Sequence, residues 1–328
     1  MRIHRGRSSL ALCVALIFGV VAAPARAWNS TGHQVVAEIA WRNMKPAVRA
    51  KVLDLLKQHP HFARRLEPTD PANSEPTDYA LRVFARAATW PDLMRSGRPD
   101  EREYHHANWH YIDFPVIPEG VDRSTLELEP TDEKLEPGKP PANILQALQW
   151  ATERLQNADA PLPEKAVALA WLEHLVGDIH QPLHAAALFS ADYPKGDRGG
   201  NLFTVKYHGN VVNLHAFWDD LLGGYMAPRL VDAVADKTIE KYPRASLEKQ
   251  LAVTKYADWA QESFTIARDL VYAGTKLKGV TRDASVADKG ATTPELPEKY
   301  DETARDTAAR QAALAGYRLA DLLNHLFE

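Results

Sequence analysis

Cysteine is nearly absent from this chain of 328 residues, with the single thiol, Cys13, lying close to the amino terminus. A disulfide framework is therefore excluded, and stability has to come from a core or from metals. Long apolar runs are scarce as well. The only extended one, Leu10 to Ala23, is followed by Pro24 and is too short to span a bilayer comfortably, which argues against an integral membrane protein. Positive charge is not in excess either: 39 Lys and Arg stand against 43 Asp and Glu, for a net charge of −4. No basic stripe stands out, so charge alone does not announce a polyanion partner. With 17 Gly and 22 Pro and no internal repeat, a fibrous, solenoid or low-complexity chain is also excluded.

What is present begins with Arg2, Arg5 and Arg7, which precede the apolar run, and with Ala25-Arg26-Ala27, which follows it. A basic segment, an apolar segment and an A-x-A site in that order form a secretory signal peptide over residues 1–27, implying export to the periplasm or the medium. Cleavage would leave 301 of the 328 residues, starting at Trp28 and free of thiol. Subtracting the four arginines of the leader from 39 leaves 35 basic against 43 acidic side chains, a net charge near −8. Any anion that such a protein handles must find its positive charge elsewhere.

Apolar residues recur at helical spacing over Ser30–His59 with Pro46 as an interruption, and over Thr77–Thr89, Asn143–Asn157, Glu164–His180, Leu230–Tyr242, Ser246–Ala273 and Tyr300–Leu326. One stretch departs from that period. Leu202–Tyr207 and Val211–Leu214 flank His208-Gly209-Asn210 and predict a β-hairpin. The expected fold is all-α, a single catalytic domain over residues 28–328 with one short hairpin and two long surface loops, Pro115–Pro141 and Thr275–Lys299.

The densest chemical signal is His174-Leu-Val-Gly-Asp178-Ile-His180-Gln-Pro182-Leu-His184. His174 and Asp178 are four apart, so a helix projects imidazole and carboxylate from one face, one turn apart, as metal chelation requires. Leu172, Leu175, Val176 and Ile179 surround the pair, which makes an uncompensated buried Asp expensive and calls for a cation. Pro182 is expected to end or kink the helix near Gln181 and swing His184 towards the same cavity, while His180 misses that face. His215 and Asp219 repeat the spacing directly after the hairpin. Upstream, Trp90-Pro-Asp92 follows a predicted helix, and Trp109-His110-Tyr111-Ile-Asp113 reads as an extended segment. At the new terminus, Trp28-Asn-Ser-Thr-Gly-His33 sets an imidazole five residues after a free α-amine, whose nitrogen and carbonyl oxygen can close a five-membered chelate. Imidazole and carboxylate without thiolate suit zinc best. The remaining histidines, His59, His61, His105, His106, His208 and His325, read as surface or loop groups, and Trp41, Trp150 and Trp259 as core.

In order and spacing these residues resemble the S1/P1 nuclease family, zinc-dependent secreted enzymes whose helical fold is shared with bacterial zinc phospholipase C. The resemblance implies three zinc ions: one held by Asp92, His110, His174 and Asp178; one by Trp28, His33 and a bridging Asp178; one by His184, His215 and Asp219. It further implies Asp92, Arg95 and Asp178 as catalytic residues, with Arg95 steadying the transition state, and Tyr111 and Asp113 as a nucleobase-contacting pair. Asp220 stands near the substrate where some members carry Asn. The expected activity is endonucleolytic cleavage of single-stranded RNA and DNA to 5′-phosphorylated products, with 3′-nucleotidase activity on nucleotides, by a monomer without a membrane anchor. Two other readings use the same residues: a zinc phospholipase C, whose pattern has a wider gap after the terminal Trp and a Glu in the last pair, and a non-enzymatic periplasmic zinc-binding protein.

Overall fold

The computed structural model describes residues 28–68, 76–281 and 293–328; the leader assigned to residues 1–27 lies outside the described residues. The architecture is helical, with two small sheets at its margin. Helix α1 (Ser30–Asn43) is capped by the Asn29 side chain, which accepts the Gly32 N–H, and α2 (Pro46–Leu56) restarts with Pro46 in its first turn, where no donor is needed. The layers around them are α3 (Pro76–Leu93), α4 (Ile144–Gln156), α5 (Leu162–Asp178), the short α6 (Leu214–Asp219), α7 (Pro228–Lys241), α8 (Glu248–Leu251), α9 (Tyr256–Ile266) and the long α10 (Tyr300–Leu326).

Helix α5 runs through the middle, buried continuously from Ala166 to Asp178, with α1, α3, α4 and α10 packed on it. Such all-round burial is why its apolar residues show no single face. Helix α1 lies along α10, and the approach is close enough that a Cβ on Gly316 would sit 2.6 Å from Ile39 Cβ. Among the described residues no helix is long and apolar enough to cross a membrane.

The expected hairpin is present as β3 (Phe203–Tyr207) and β4 (Asn210–Asn213), joined through His208 and Gly209, both at positive φ, as a tight two-residue turn requires. Two pairings were not anticipated. Strand β1 (Pro115–Val116) pairs in parallel with β2 (Ala187–Leu188), and β5 (Val280–Thr281) adds to the free edge of β3.

Several boundaries also differ. Helix α3 continues through Pro91 to Leu93, so Asp92 belongs to its last turn rather than to a following loop; the proline forfeits one bond to the carbonyl of Ala87 and ends the helix only two residues later. Residues 107–110 form a 3₁₀ turn, and extended backbone starts at Tyr111. The expected long helix over Ser246–Ala273 is interrupted after Leu251 and resumes at Tyr256, the break being held by Trp259 Nε1 donating to the Val253 carbonyl at 2.7 Å. His59 and His61 are buried, not superficial: Trp90 Nε1 donates to His61 Nδ1 at 3.1 Å, and the His61 N–H donates to His59 Nδ1 at 3.0 Å.

Candidate metal centre

Four elements converge on Asp178, which ends α5 fully buried. His33, one turn into α1, brings Nε2 to 3.2 Å from Asp178 Oδ1. That approach depends on the residue before Asp178, because a Cβ on Gly177 would meet His33 Nδ1 at 2.9 Å. His174, one turn earlier on α5, places Nε2 3.1 Å from Asp178 Oδ2, and its ring stacks on that of His33 with centroids 3.9 Å apart. His110, at the end of its 3₁₀ turn, turns Nδ1 inward, 2.9 Å from both Asp178 Oδ2 and His174 Nε2. Asp92 completes the group from α3, with Arg95 NH2 3.2 Å from its Oδ1.

A second group stands beside the first. His184 lies on the 3₁₀ turn Pro182–His184, with Nδ1 4.0 Å from Asp178 Oδ2, and its ring faces His215 of α6 at 5.0 Å between centroids. His215 Nε2 is 3.4 Å from Asp219 Oδ2. Ligand-type atoms approach within 4.8 Å of one another in three sets: His33, His174 and Asp178; Asp92, His110 and His174; and His184, His215 and Asp219.

The orientation of the rings is itself informative. His174, His184 and His215 each direct Nδ1 at a main-chain carbonyl, of Ala88 at 2.8 Å, His110 at 2.6 Å and Gly199 at 2.6 Å. A carbonyl only accepts, so each Nδ1 carries the proton and each Nε2 keeps a lone pair facing the cavity, as metal-binding histidines are held. Several buried polar atoms at the centre lack hydrogen-bond partners: His184 Nε2 has none, and His33 Nε2 with Asp178 Oδ1, like Asp92 Oδ1 with Arg95, makes only an ion-pair contact at 3.2 Å. Each such atom costs on the order of 1–3 kcal/mol. Their concentration in one place fits cations that these donors are built to receive.

Electrostatics agree. Burial works against ionisation of Asp178, yet the charge of His174 and hydrogen bonds from His110 and His174 outweigh it and hold the carboxyl well below the usual range. Burial is the main cause of the fall of the His184 imidazole to about 3, with His215 adding to it, and of the fall at His110 to about 4, so both stay neutral and able to coordinate. Asp219 is pushed well above its ordinary value, first by burial and then by Asp220, Asp92 and Asp178, against the opposing hydrogen bond from Gln181. A cation at that carboxylate would therefore displace a proton.

Of the other expected residues, Trp28 is fully buried and donates from Nε1 to the Gly177 carbonyl at 3.0 Å, anchoring the start of α1 beside Asp178. Arg95 is largely buried and its Nε has no partner. Tyr111 is 38% exposed beside His110, and Asp113 is half-buried two residues on. Asp220 is exposed and accepts from Asn29 Nδ2 at 2.6 Å, tying α6 to the cap of α1. Sequence reasoning missed Gln181, whose amide holds Asp219 Oδ1 at 2.8 Å, and the carbonyls that orient the imidazoles; a Gln immediately before Pro182 was the one available sign of it.

A helical fold that gathers three largely buried sets of His and carboxylate side chains, two of them sharing His174, has the make-up of a metal-dependent hydrolase. Residues 28–328 match the S1/P1 Nuclease family model, and the chain belongs to that family. Among its relatives are Endonuclease 1 of Arabidopsis thaliana, 24% identical over 98% of this chain and 94% of that protein, and Nuclease S1 of Aspergillus oryzae, 25% identical over 90% and 91%. Nuclease P1 of Penicillium citrinum is 25% identical over 91% of this chain and 97% of its own length.

Proposed function

We propose that this protein is an exported, zinc-dependent endonuclease that cleaves single-stranded RNA and DNA to 5′-phosphorylated products, with residues 28–328 as its one catalytic domain. The observation that carries this reading is the gathering of buried imidazole and carboxylate atoms around Asp178, several of them without a hydrogen bond, in a chain of nuclease kinship. Asp92, His110, His174 and Asp178 would hold one zinc, His33, Asp178 and the amine and carbonyl of Trp28 a second, and His184, His215 and Asp219 a third. Bound zinc supplies Lewis acidity towards the phosphate and lowers the pKa of water to about 7. In the reaction, water oxygen bonds to phosphorus, the bond to the 3′ oxygen breaks, and the 3′ hydroxyl takes up a proton.

The chain's own residues then bind and orient. Arg95, with Nε unspent and NH2 beside Asp92, would neutralise a phosphoryl oxygen. Tyr111 offers a half-exposed ring for a base, and Asp113 a carboxyl for its edge. The three carboxylates Asp92, Asp178 and Asp219 offset only half of the charge of three divalent ions, which would give a protein of negative net charge a local attraction for phosphate.

The deciding experiment combines metal analysis with product analysis of the mature protein on single-stranded DNA, RNA and a lipid phosphodiester. Three zinc equivalents, loss of activity with chelator, recovery with zinc and 5′-phosphorylated ends are expected. Cleavage of the lipid alone would assign it instead to the phospholipase class, and zinc binding without hydrolysis of any of the three would make it a binding protein.

A further inference from the structure

Gln181 is fully buried, three residues after Asp178 and three before His184. Its main chain joins those two residues: the N–H donates to the Asp178 carbonyl at 2.9 Å, and the carbonyl accepts the His184 N–H at 2.9 Å. Its side chain joins the third element. Oε1 accepts the Leu183 N–H at 2.6 Å, and Nε2 donates to Asp219 Oδ1 at 2.8 Å, across 38 residues of sequence. The amide cannot be turned over, because the Leu183 N–H must face an acceptor; the nitrogen is thereby committed to Asp219. No other side chain described above bonds to Asp219 from the segment between Asp178 and His184.

We propose that Gln181 is a positioning residue that fixes Asp219 as a one-oxygen metal ligand and holds the His184, His215 and Asp219 set in register with Asp178. This rests on the metal-binding reading of these residues. With Oδ1 engaged by the amide, Oδ2, 3.4 Å from His215 Nε2, is the oxygen left to face a cation. An apolar side chain of similar size would fill the same volume, but it would leave Asp219 free to rotate or to bind through both oxygens. Partners of this kind, one bond behind the ligand, typically change metal affinity by about 10- to 100-fold when removed.

The test is zinc titration of the mature protein against a chromophoric chelator, with metal content after dialysis, for wild type, Gln181→Leu, Gln181→Glu and His215→Ala. Gln181→Glu keeps the length and the acceptor for Leu183 but exchanges the amide donor for a carboxyl oxygen that sets added negative charge against Asp219, so it remains informative where Gln181→Leu does not fold. Both substitutions are expected to weaken one zinc equivalent by about 10- to 100-fold while two stay at wild-type affinity, and the equivalent lost should be the one missing in His215→Ala. Wild-type affinity for all equivalents in Gln181→Glu would overturn the proposal, as would equal weakening of all of them. Should His215→Ala bind zinc like wild type, the metal reading of that set fails, and with it the role of Gln181.

Discussion

The two parts of the candidate metal centre are built by different means. Around Asp178 all donors but His110, which ends a 3₁₀ turn, sit on long, core-packed helices: His33 on α1, Asp92 on α3, His174 and Asp178 on α5. The His184 set stands on a three-residue turn and a six-residue helix, and is kept in place by the carbonyls of His110 and Gly199 and by Gln181. Long packed helices open only with much of the fold, whereas short elements held by a few hydrogen bonds open locally. The first group should thus be sensitive to the charge of its shared carboxylate, and the second to the bonds that hold its backbone.

Exchanging one carboxylate in each group gives the largest contrast. Asp178→Asn removes a charge on which His33, His110 and His174 all converge, and is expected to lower kcat/KM by roughly a thousandfold or more while emptying two zinc positions, since removing an opposite charge from a buried cluster costs several kcal/mol. Asp219→Asn should empty one. Metal content decides: Asp178→Asn losing no more zinc than Asp219→Asn would end the view of Asp178 as the bridge. The next effect in size concerns Trp28. A chain carrying one extra residue before Trp28 presents a peptide nitrogen where the mature form has an amine, and should lack one zinc, with activity about 10- to 100-fold down until the residue is trimmed. Equal zinc content of extended and trimmed forms would remove Trp28 from the ligand set.

That the helix-borne group was readable in advance has a simple cause. The four-residue step from His174 to Asp178 has meaning only on a helix, and the apolar residues around it already imply one. Helix α10 was legible at both ends for the same reason. What could not be read depends on contacts made far along the chain. Two-residue strands such as β1 and β2 carry no periodicity, and the break after Leu251 is held by the Trp259 indole. His61 became a core residue through Trp90, 29 positions away. The tolerance of α3 for Pro91 lies in its position at the last turn, where few bonds remain to be lost. Which side chains gather was local, whereas how their rings are turned was not.

The rim of the site sharpens the comparison with smaller effects. The Tyr111 carbonyl accepts the Ile144 N–H at 3.1 Å, so its backbone is pinned to the start of α4 while the ring stays 38% exposed. A base stacked on an aromatic ring gains about 1–3 kcal/mol, which a single strand can supply by unstacking and a duplex cannot without breaking pairs as well. Tyr111→Ala should raise KM on single-stranded substrates by roughly 5- to 150-fold, the same range expressed as a ratio. Zinc content should stay unchanged. Zinc loss in this variant would make Tyr111 a support for His110 rather than a platform.

The smallest expected effect is a change of base preference with pH at Asp113. Burial, with Asp197 and Glu129 nearby, pushes this carboxyl up to about 7. Below that value it is protonated and can donate to adenine N1 while its other oxygen accepts from the N6 amine. Above it, the carboxylate only accepts, and suits the N1–H and N2–H of guanine. The ratio of kcat/KM for cleavage beside guanine to that beside adenine should therefore rise a few-fold between about pH 6 and pH 8, as the proton is lost. In Asp113→Asn, an amide that donates and accepts at every pH should flatten the ratio. Zinc-linked changes in overall rate cancel in that ratio, so the test isolates the rim from the metal centre. A wild-type ratio independent of pH, or the same slope in Asp113→Asn, would take base reading away from this carboxyl and leave recognition to the ring of Tyr111.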